Sequence, residues 1–422
     1  MRRKSGLHIF SLLAIVAAIL AGCDVSSVPQ TSPNSTITIR WRTQPGSLDD
    51  QAAYQSIAES ASQMLTNQNI RVVYEPDMSE DYTAKLKAEL ESGTAPDIFW
   101  IGGVELADLV ATGQVLDLKP LIDADPSFTL DDFYAQPIGE LSHDGKVYGL
   151  PRDISTLVVY YNADLFKAAG LATPNKLAAQ GAWNWSALLT SARQLTDPAK
   201  GQYGAGWNNW WGPSWSYFVQ AAGGRLFNAE RTACALSSPE TIEAARFAQT
   251  FYTEKLRPTG GQETLDNLFN AGRIGMLWSG RWMTPTVRKN ARFTWDVAEM
   301  PIGKRQSSWL FWGAYLINAR TENPQAAWQV LKQLTSAESM GKLATIGSTV
   351  PARKSPASIE LFLASSPPRN NQAFLASLEY ATVEAPLWHI SWSDYNNRVQ
   401  SLWDQMIAGE ITPEAFGERA CG

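Results

Sequence analysis

The chain has 422 residues, with 35 Lys and Arg against 41 Asp and Glu and a formal net charge of −6. A hydrophobic fraction of 45% with 18% charged residues belongs to a globular chain, not a disordered one. The acidic balance, with no clustered basic stretch, excludes nucleic acid as an expected partner. Three Cys and three His with no CxxC or HxxxH spacing point to no metal site, and no cofactor is expected.

Arg2, Arg3 and Lys4 precede an apolar run from Leu7 to Leu20. The run is too short and too near the terminus for an ordinary spanning helix, and it reads as a secretory signal. Its end, Leu20-Ala21-Gly22-Cys23, resembles the bacterial lipobox, in which the cysteine is lipidated and becomes the first mature residue. Residues 1–22 are thus the expected signal peptide and Cys23 the lipidation site, with acyl chains holding the protein at the membrane. Asp24 resembles the residue that keeps lipoproteins at the inner membrane in hosts that have two. Residues 23–36 are small, polar and proline-containing, and read as a flexible tether. Loss of the three N-terminal cations leaves 32 basic against 41 acidic residues, a net charge near −9. No second apolar run is long enough to span a membrane. Roughly 390 residues follow the tether, a length that usually makes two domains.

The TITIRW segment, Thr36 to Trp41, alternates as a strand does. Ala52 to Leu65 is predicted helical, Ile70 to Tyr74 a second strand, and Tyr82 to Leu90 a helix stopped by Gly93. Asp97 to Ile101 is a third strand and Leu106 to Val110 begins another helix. Strands alternating with helices predict a mainly parallel sheet with ligand at its carboxyl ends, near Trp41 and Trp100. Asp144-Gly145 is a hairpin turn signal, and Thr156 to Tyr161 a dense β-branched and aromatic strand. Asn184, Ser238, Asn323 and Thr412 are expected N-caps, the last three followed by a proline at the first helical position.

GWNNWWGPSW, residues 206–215, holds Trp207, Trp210, Trp211 and Trp215 among glycines, a proline, Asn208 and Asn209. Such a stretch is no buried helix or strand. It is either a binding loop, with indoles for apolar faces and amides for polar edges, or a packing loop. Cys234 and Cys421 remain after lipidation of Cys23; they either pair, as an extracytoplasmic location permits, or stay separate thiols. Of the histidines, His143 and His389 survive processing.

Several segments in order carry a resemblance. They are Ala95 to Trp100 (APDIFW), Asp144 to Pro151 (DGKVYGLP), Tyr161 to Phe166 (YNADLF) and Ala169-Gly170-Leu171. Trp183 ahead of its helix, Phe269 to Met276 (FNAGRIGM), Gly280-Arg281-Trp282 and Val350 to Arg353 (VPAR) follow. Across roughly residues 36–415 the chain resembles the extracellular solute-binding proteins of carbohydrate ABC importers, the maltose-binding type. The resemblance implies an α/β, two-lobed periplasmic-binding-protein fold (type II), with hinge segments and a cleft between the lobes. Lobe 1 would hold 37–153 plus 314–346, and lobe 2 would hold 154–313 plus 347–422, with crossings near Ile154–Thr156, Trp312–Ala314 and Gly347.

A pyranose has apolar C–H faces and a belt of hydroxyls, so flat rigid indoles suit its faces and polar side chains its edges. Trp100 and Trp282 match the family's stacking positions, and Trp392 a third, with Trp388 as its competitor. Trp207, Asn208, Trp210, Trp211 and Trp215 are loop candidates. Arg152 and Asp153 lie at the first crossing and either grip hydroxyls or form a surface ion pair. Trp41, Trp312, Arg281 and Arg353 complete the candidate ligand-binding set. Trp183, Trp185, Trp295, Trp328 and Trp403 are expected to be structural. Gly102 and Gly103 replace the family's acidic-basic pair, a departure that argues against maltodextrin specificity.

The resemblance implies a monomeric binding lipoprotein, on the outer face of the bacterial cytoplasmic membrane. It would close on a sugar or oligosaccharide by hinge bending and deliver it to separate ABC permease subunits. No P-loop is present, and no catalysis is expected. Two other readings stay open: the same fold serving a non-sugar solute such as glycerol phosphate or a peptide, or a sensor, and a lipid-anchored glycoside hydrolase using two carboxylates.

Overall fold

In the computed structural model, residues 35–382, 388 and 391–422 are described. The signal segment, Cys23, most of the tether and His389 lie outside them.

Among the described residues thirteen strands form three sheets. In chain order they are β1 (Ile37–Thr43), β2 (Ile70–Pro76), β3 (Ile98–Gly102), β4 (Ser142–His143) and β5 (Lys146–Val147). Then come β6 (Leu150–Thr156), β7 (Val158–Asn162), β8 (Tyr203–Trp207) and β9 (Ile274–Ser279). β10 (Trp295–Glu299), β11 (Ser308–Ile317), β12 (Val350–Pro351) and β13 (Ala381–Thr382) complete the set. The larger sheet has the order β12-β6-β11-β3-β1-β2, with β13 on β11; the smaller has the order β10-β7-β9-β8. β4 and β5 make a separate hairpin across Asp144 and Gly145, both at positive φ, as the turn signal predicts.

The expectation of mainly parallel sheets needs correction. β2, β1 and β3 are parallel, but β11 joins β3 and β6 antiparallel, and β6 joins β12 antiparallel. In the smaller sheet β8 and β9 alone are parallel. The cause is chain return: β11 arrives after the smaller sheet is complete and inserts between strands laid down much earlier. A single residue, Leu157, separates β6 of the larger sheet from β7 of the smaller.

Local signals are obeyed closely. Ser47 caps the helix Leu48–Met64 by accepting from the Asp50 amide, and Gly93, at φ 78°, ends Tyr82–Ser92. Asn184, Ser238 and Thr412 each accept from an amide of the following turn. Asn323 makes no such side-chain bond, and Pro324 carries that start alone.

One core packs Ile39, Trp41, Ile57, Ile98 and Trp328 behind the larger sheet. Another packs Val159, Trp207, Trp215, Phe218, Trp278 and Trp403 against the smaller. Trp183, Trp295, Trp328 and Trp403 are buried, and Trp185 stacks on Phe247 at 4.1 Å. Cys234 and Cys421 form a disulfide that ties the C-terminal helix Pro413–Arg419 to the body. Among the described residues no helix is long and apolar enough to cross a membrane.

Candidate functional site

A cleft of about 400 Å³ opens at the carboxyl ends of β1 and β3, a size within the usual range for small-ligand sites. One wall comes from β3 and from the segments that follow β1 and β3, and includes Gln44, Ser47, Asp50, Trp100 and Glu105. The floor is the pair of long strands next to the crossing, through Arg152, Asp153, Phe311, Trp312 and Gly313. The facing wall carries Trp210, Trp211 and Trp282, and Ser348 and Thr349 close one end.

The aromatic groups are held edge to face. Phe311 lies between Trp282, at 5.0 Å, and Trp210, at 5.4 Å, and meets both edge-on. Trp211 contacts Trp309 at 4.7 Å in the same way. Each such contact sets the edge of one ring on the face of another and fixes both in place. Trp282 is 38% exposed, unusual for a tryptophan in so rigid a setting. Its ring folds back over Gly280, where a β-carbon would come within 2.0 Å of the indole. Across the cleft, Gly103 makes room for the indole of Trp312, which a β-carbon there would meet at 2.9 Å. Gly103, one of the two glycines at that position, thus admits another aromatic ring.

Arg152 and Asp153 are not a surface pair. Arg152 donates to both Asp153 oxygens at 2.7 and 2.9 Å and to the Tyr54 hydroxyl at 2.8 Å, with its guanidinium 5.1 Å from the Trp100 ring centre. Burial opposes the charge, but Asp153 and nearby Tyr54 and Tyr315 hold Arg152 well above the ordinary arginine range. Four buried polar atoms on residues that line this cleft have no partner among the described residues: Asp50 Oδ1, Trp100 Nε1, Glu105 Oε2 and Ser348 Oγ. Buried polar atoms left unpaired are costly, which makes these four candidates for ligand hydrogen bonds. Burial pushes the Glu105 carboxyl up to about 7; a backbone hydrogen bond opposes this and Asp108 adds to it.

A second hollow of about 450 Å³ shares Glu105 and Trp211 with the first. It adds Tyr82, Lys87 and Asp108 from one side and Trp392 and Asn396 from the other. Trp392 therefore stands beside the main cleft, against Trp211 at 5.0 Å.

The structure gathers Trp100, Arg152, Asp153, Trp210, Trp211, Trp282 and Trp312 into the cleft, and leaves other sequence candidates elsewhere. Trp41 is fully buried, boxed by Tyr54, Tyr74 and Tyr315 at 5.0–5.8 Å, because its face of β1 turns to the core. Trp207 stacks on Trp278 at 4.4 Å under the Arg257 guanidinium, and Trp215 is buried with its indole N–H on Gln400. Asn208, half-buried and with a contact of its own, is outside the cleft lining. Asn209 is a staple: its side-chain oxygen accepts from Ser214, Tyr252 and Trp403, and its amide donates to Asp404. Arg281 is fully buried between Phe362 and Phe374, donates to Asn371 and is pulled down to about 10 by burial. Arg353 bonds Asp132 and the Thr335 carbonyl, with Phe133 beneath it. Trp388 stacks on His143 at 4.0 Å.

Sequence reading missed Asp50, Glu105, Trp309, Phe311 and Ser348. The run Trp309-Leu310-Phe311-Trp312 beside a predicted crossing was a usable signal. Nothing local distinguishes Asp50 or Glu105 from surface helix carboxylates.

A family profile described as bacterial extracellular solute-binding protein matches residues 58–365. The maltotriose-binding protein of Pyrococcus abyssi is 26% identical over 315 residues, covering 71% of this chain and 62% of its own. The galactooligosaccharide-binding protein of Bacillus subtilis is 22% identical over 351 residues, covering 78% and 76%. An ABC substrate-binding protein of Listeria monocytogenes, solved in complex with cycloalternan, shares the fold at a TM-score of 0.80 and 23% identity, covering 92% of this chain and 97% of that one. By its fold, its cleft and the match over most of its length, the chain belongs to the bacterial extracellular solute-binding proteins.

Proposed function

We propose that this protein captures a sugar or oligosaccharide between its two lobes and hands it to the membrane permease of an ABC importer. The observation that carries this reading is the indole-walled cleft, where Trp100, Trp210, Trp282 and Trp312 stand around buried, unpartnered polar atoms. Stacking a pyranose on an indole removes apolar area from water at little side-chain entropy cost, and the polar atoms supply partners for hydroxyls. Relatives named for binding maltotriose and galactooligosaccharide support the ligand class.

The lobes proposed are 37–153 plus 314–346 and 154–313 plus 347–422, hinged near Ile154–Thr156, Trp312–Ala314 and Gly347. The change of sheet at Leu157, one residue beyond that segment, supports the first crossing. A ligand touching both lobes binds the closed form better and shifts the population toward it. The protein works as a monomer and by binding, not catalysis, with Cys23 lipidated at the outer face of the cytoplasmic membrane.

The test is titration against a panel of mono- and oligosaccharides, read by tryptophan fluorescence and melting temperature. A saturable change in both, for at least one saccharide, is the expected result. Silence across the panel refutes the reading.

A further inference from the structure

We infer that the cleft is built for a saccharide bearing a protonated amine, an inference that rests on the saccharide reading above. The groups lining the cleft carry it. Asp50 is 7% exposed and its Oδ1 has no partner among the described residues, while its Oδ2 is taken by the Ser47 hydroxyl. Glu105 lines the same cleft, with Oε2 buried and unpartnered. Among the described lining residues the single cation is Arg152, and it is committed to Asp153 and Tyr54. Among the described residues of the main cleft, two carboxyl groups thus stand without a countercharge and no cation is free, while Lys87 lines the second hollow that shares Glu105.

Such a site repels phosphate esters, uronates and acidic peptides. Neutral hydroxyls would satisfy the acceptor oxygens but bring no countercharge to a carboxylate. A protonated amine supplies both charge and donors, through charge-assisted hydrogen bonds. The walls add to this, since indole faces attract cations, more strongly where water is excluded. Glu105 lies where the main cleft meets the second hollow, so an amine there would sit between successive rings of a longer ligand. Its carboxyl, raised to about 7 by burial, would ionise fully beside such a cation.

The probes are trimers with one linkage and three substituents at C2: amine (chitosan trimer), N-acetyl (chitin trimer) and hydroxyl (cellotriose). Calorimetry at neutral pH on the wild-type protein should give a dissociation constant about tenfold or more lower for the amine trimer than for either of the others. Asp50→Asn and Glu105→Gln should each shrink that ratio toward one, and added salt should weaken the amine trimer most. An amine trimer that binds no better than cellotriose, or not at all, overturns the inference. Binding of any neutral saccharide in the same series or in the broader panel leaves the saccharide reading standing. Absence of binding by all of them overturns both.

Discussion

A β-carbon on Gly313 would fall 2.4 Å from the indole nitrogen of Trp100 and 2.8 Å from Asp153 Oδ1. The bare backbone of β11 is what lets the ring and the carboxylate converge on one spot. Gly313→Ala should push both aside at a cost of about 1–3 kcal/mol in stability. Saccharide affinity should fall at least about tenfold. Fluorescence titration beside a denaturant melt checks both; an unchanged dissociation constant would remove Trp100 from the proposed site.

The tryptophans divide by environment, and two of them make a sharp contrast. Trp282 is 38% exposed, so Trp282→Ala should change stability by less than about 1 kcal/mol yet weaken saccharide binding about 10- to 100-fold. Trp207 is fully buried on Trp278, so Trp207→Ala should cost about 3–5 kcal/mol of stability. Equal stability losses in the two variants would contradict the assignment.

Glu105 sets a pH dependence. Its folded pKa, about 7, lies above the ordinary value of 4.5, so the folded state keeps a proton that the unfolded state has lost. Stability from this group therefore falls as pH rises from about 4.5 to about 7. The full effect is about 3–4 kcal/mol at most, and less with solvent screening. Glu105→Gln should flatten that slope, and melting temperatures of both proteins across the window test it.

Cys234 and Cys421 close a loop spanning 187 positions of sequence. Replacing both with serine should cost about 2–5 kcal/mol and loosen the Pro413–Arg419 helix first. Hydrogen exchange at that helix, compared with wild type under the same buffer, reports the change.

The local parts of the fold were legible because their causes are local. Ser238 and Thr412 cap helices through bonds spanning three residues, and Asp144-Gly145 turns a hairpin by its own dihedral preferences. Sheet order was less legible. The insertion of β11 beside β3 joins residues more than 200 positions apart, and no short pattern encodes that.

The site was half legible. Trp100, Trp210, Trp282 and Asp153 stood out by motif or density, while Asp50 and Glu105 looked like ordinary helix-end carboxylates. Asn209 looked like a sugar contact and is a staple, because one amide can serve either a hydroxyl or three side chains around it.

By itself the order of residues determined the family resemblance, the two-lobed plan and the helix ends. Only the folded chain decided which indoles face the cleft. An indole packed on phenylalanine and one stacked on a sugar bury the same kind of surface, so composition cannot tell Trp207 from Trp210. Strand direction and sheet placement do, by turning one ring into the core and leaving the other in the gap.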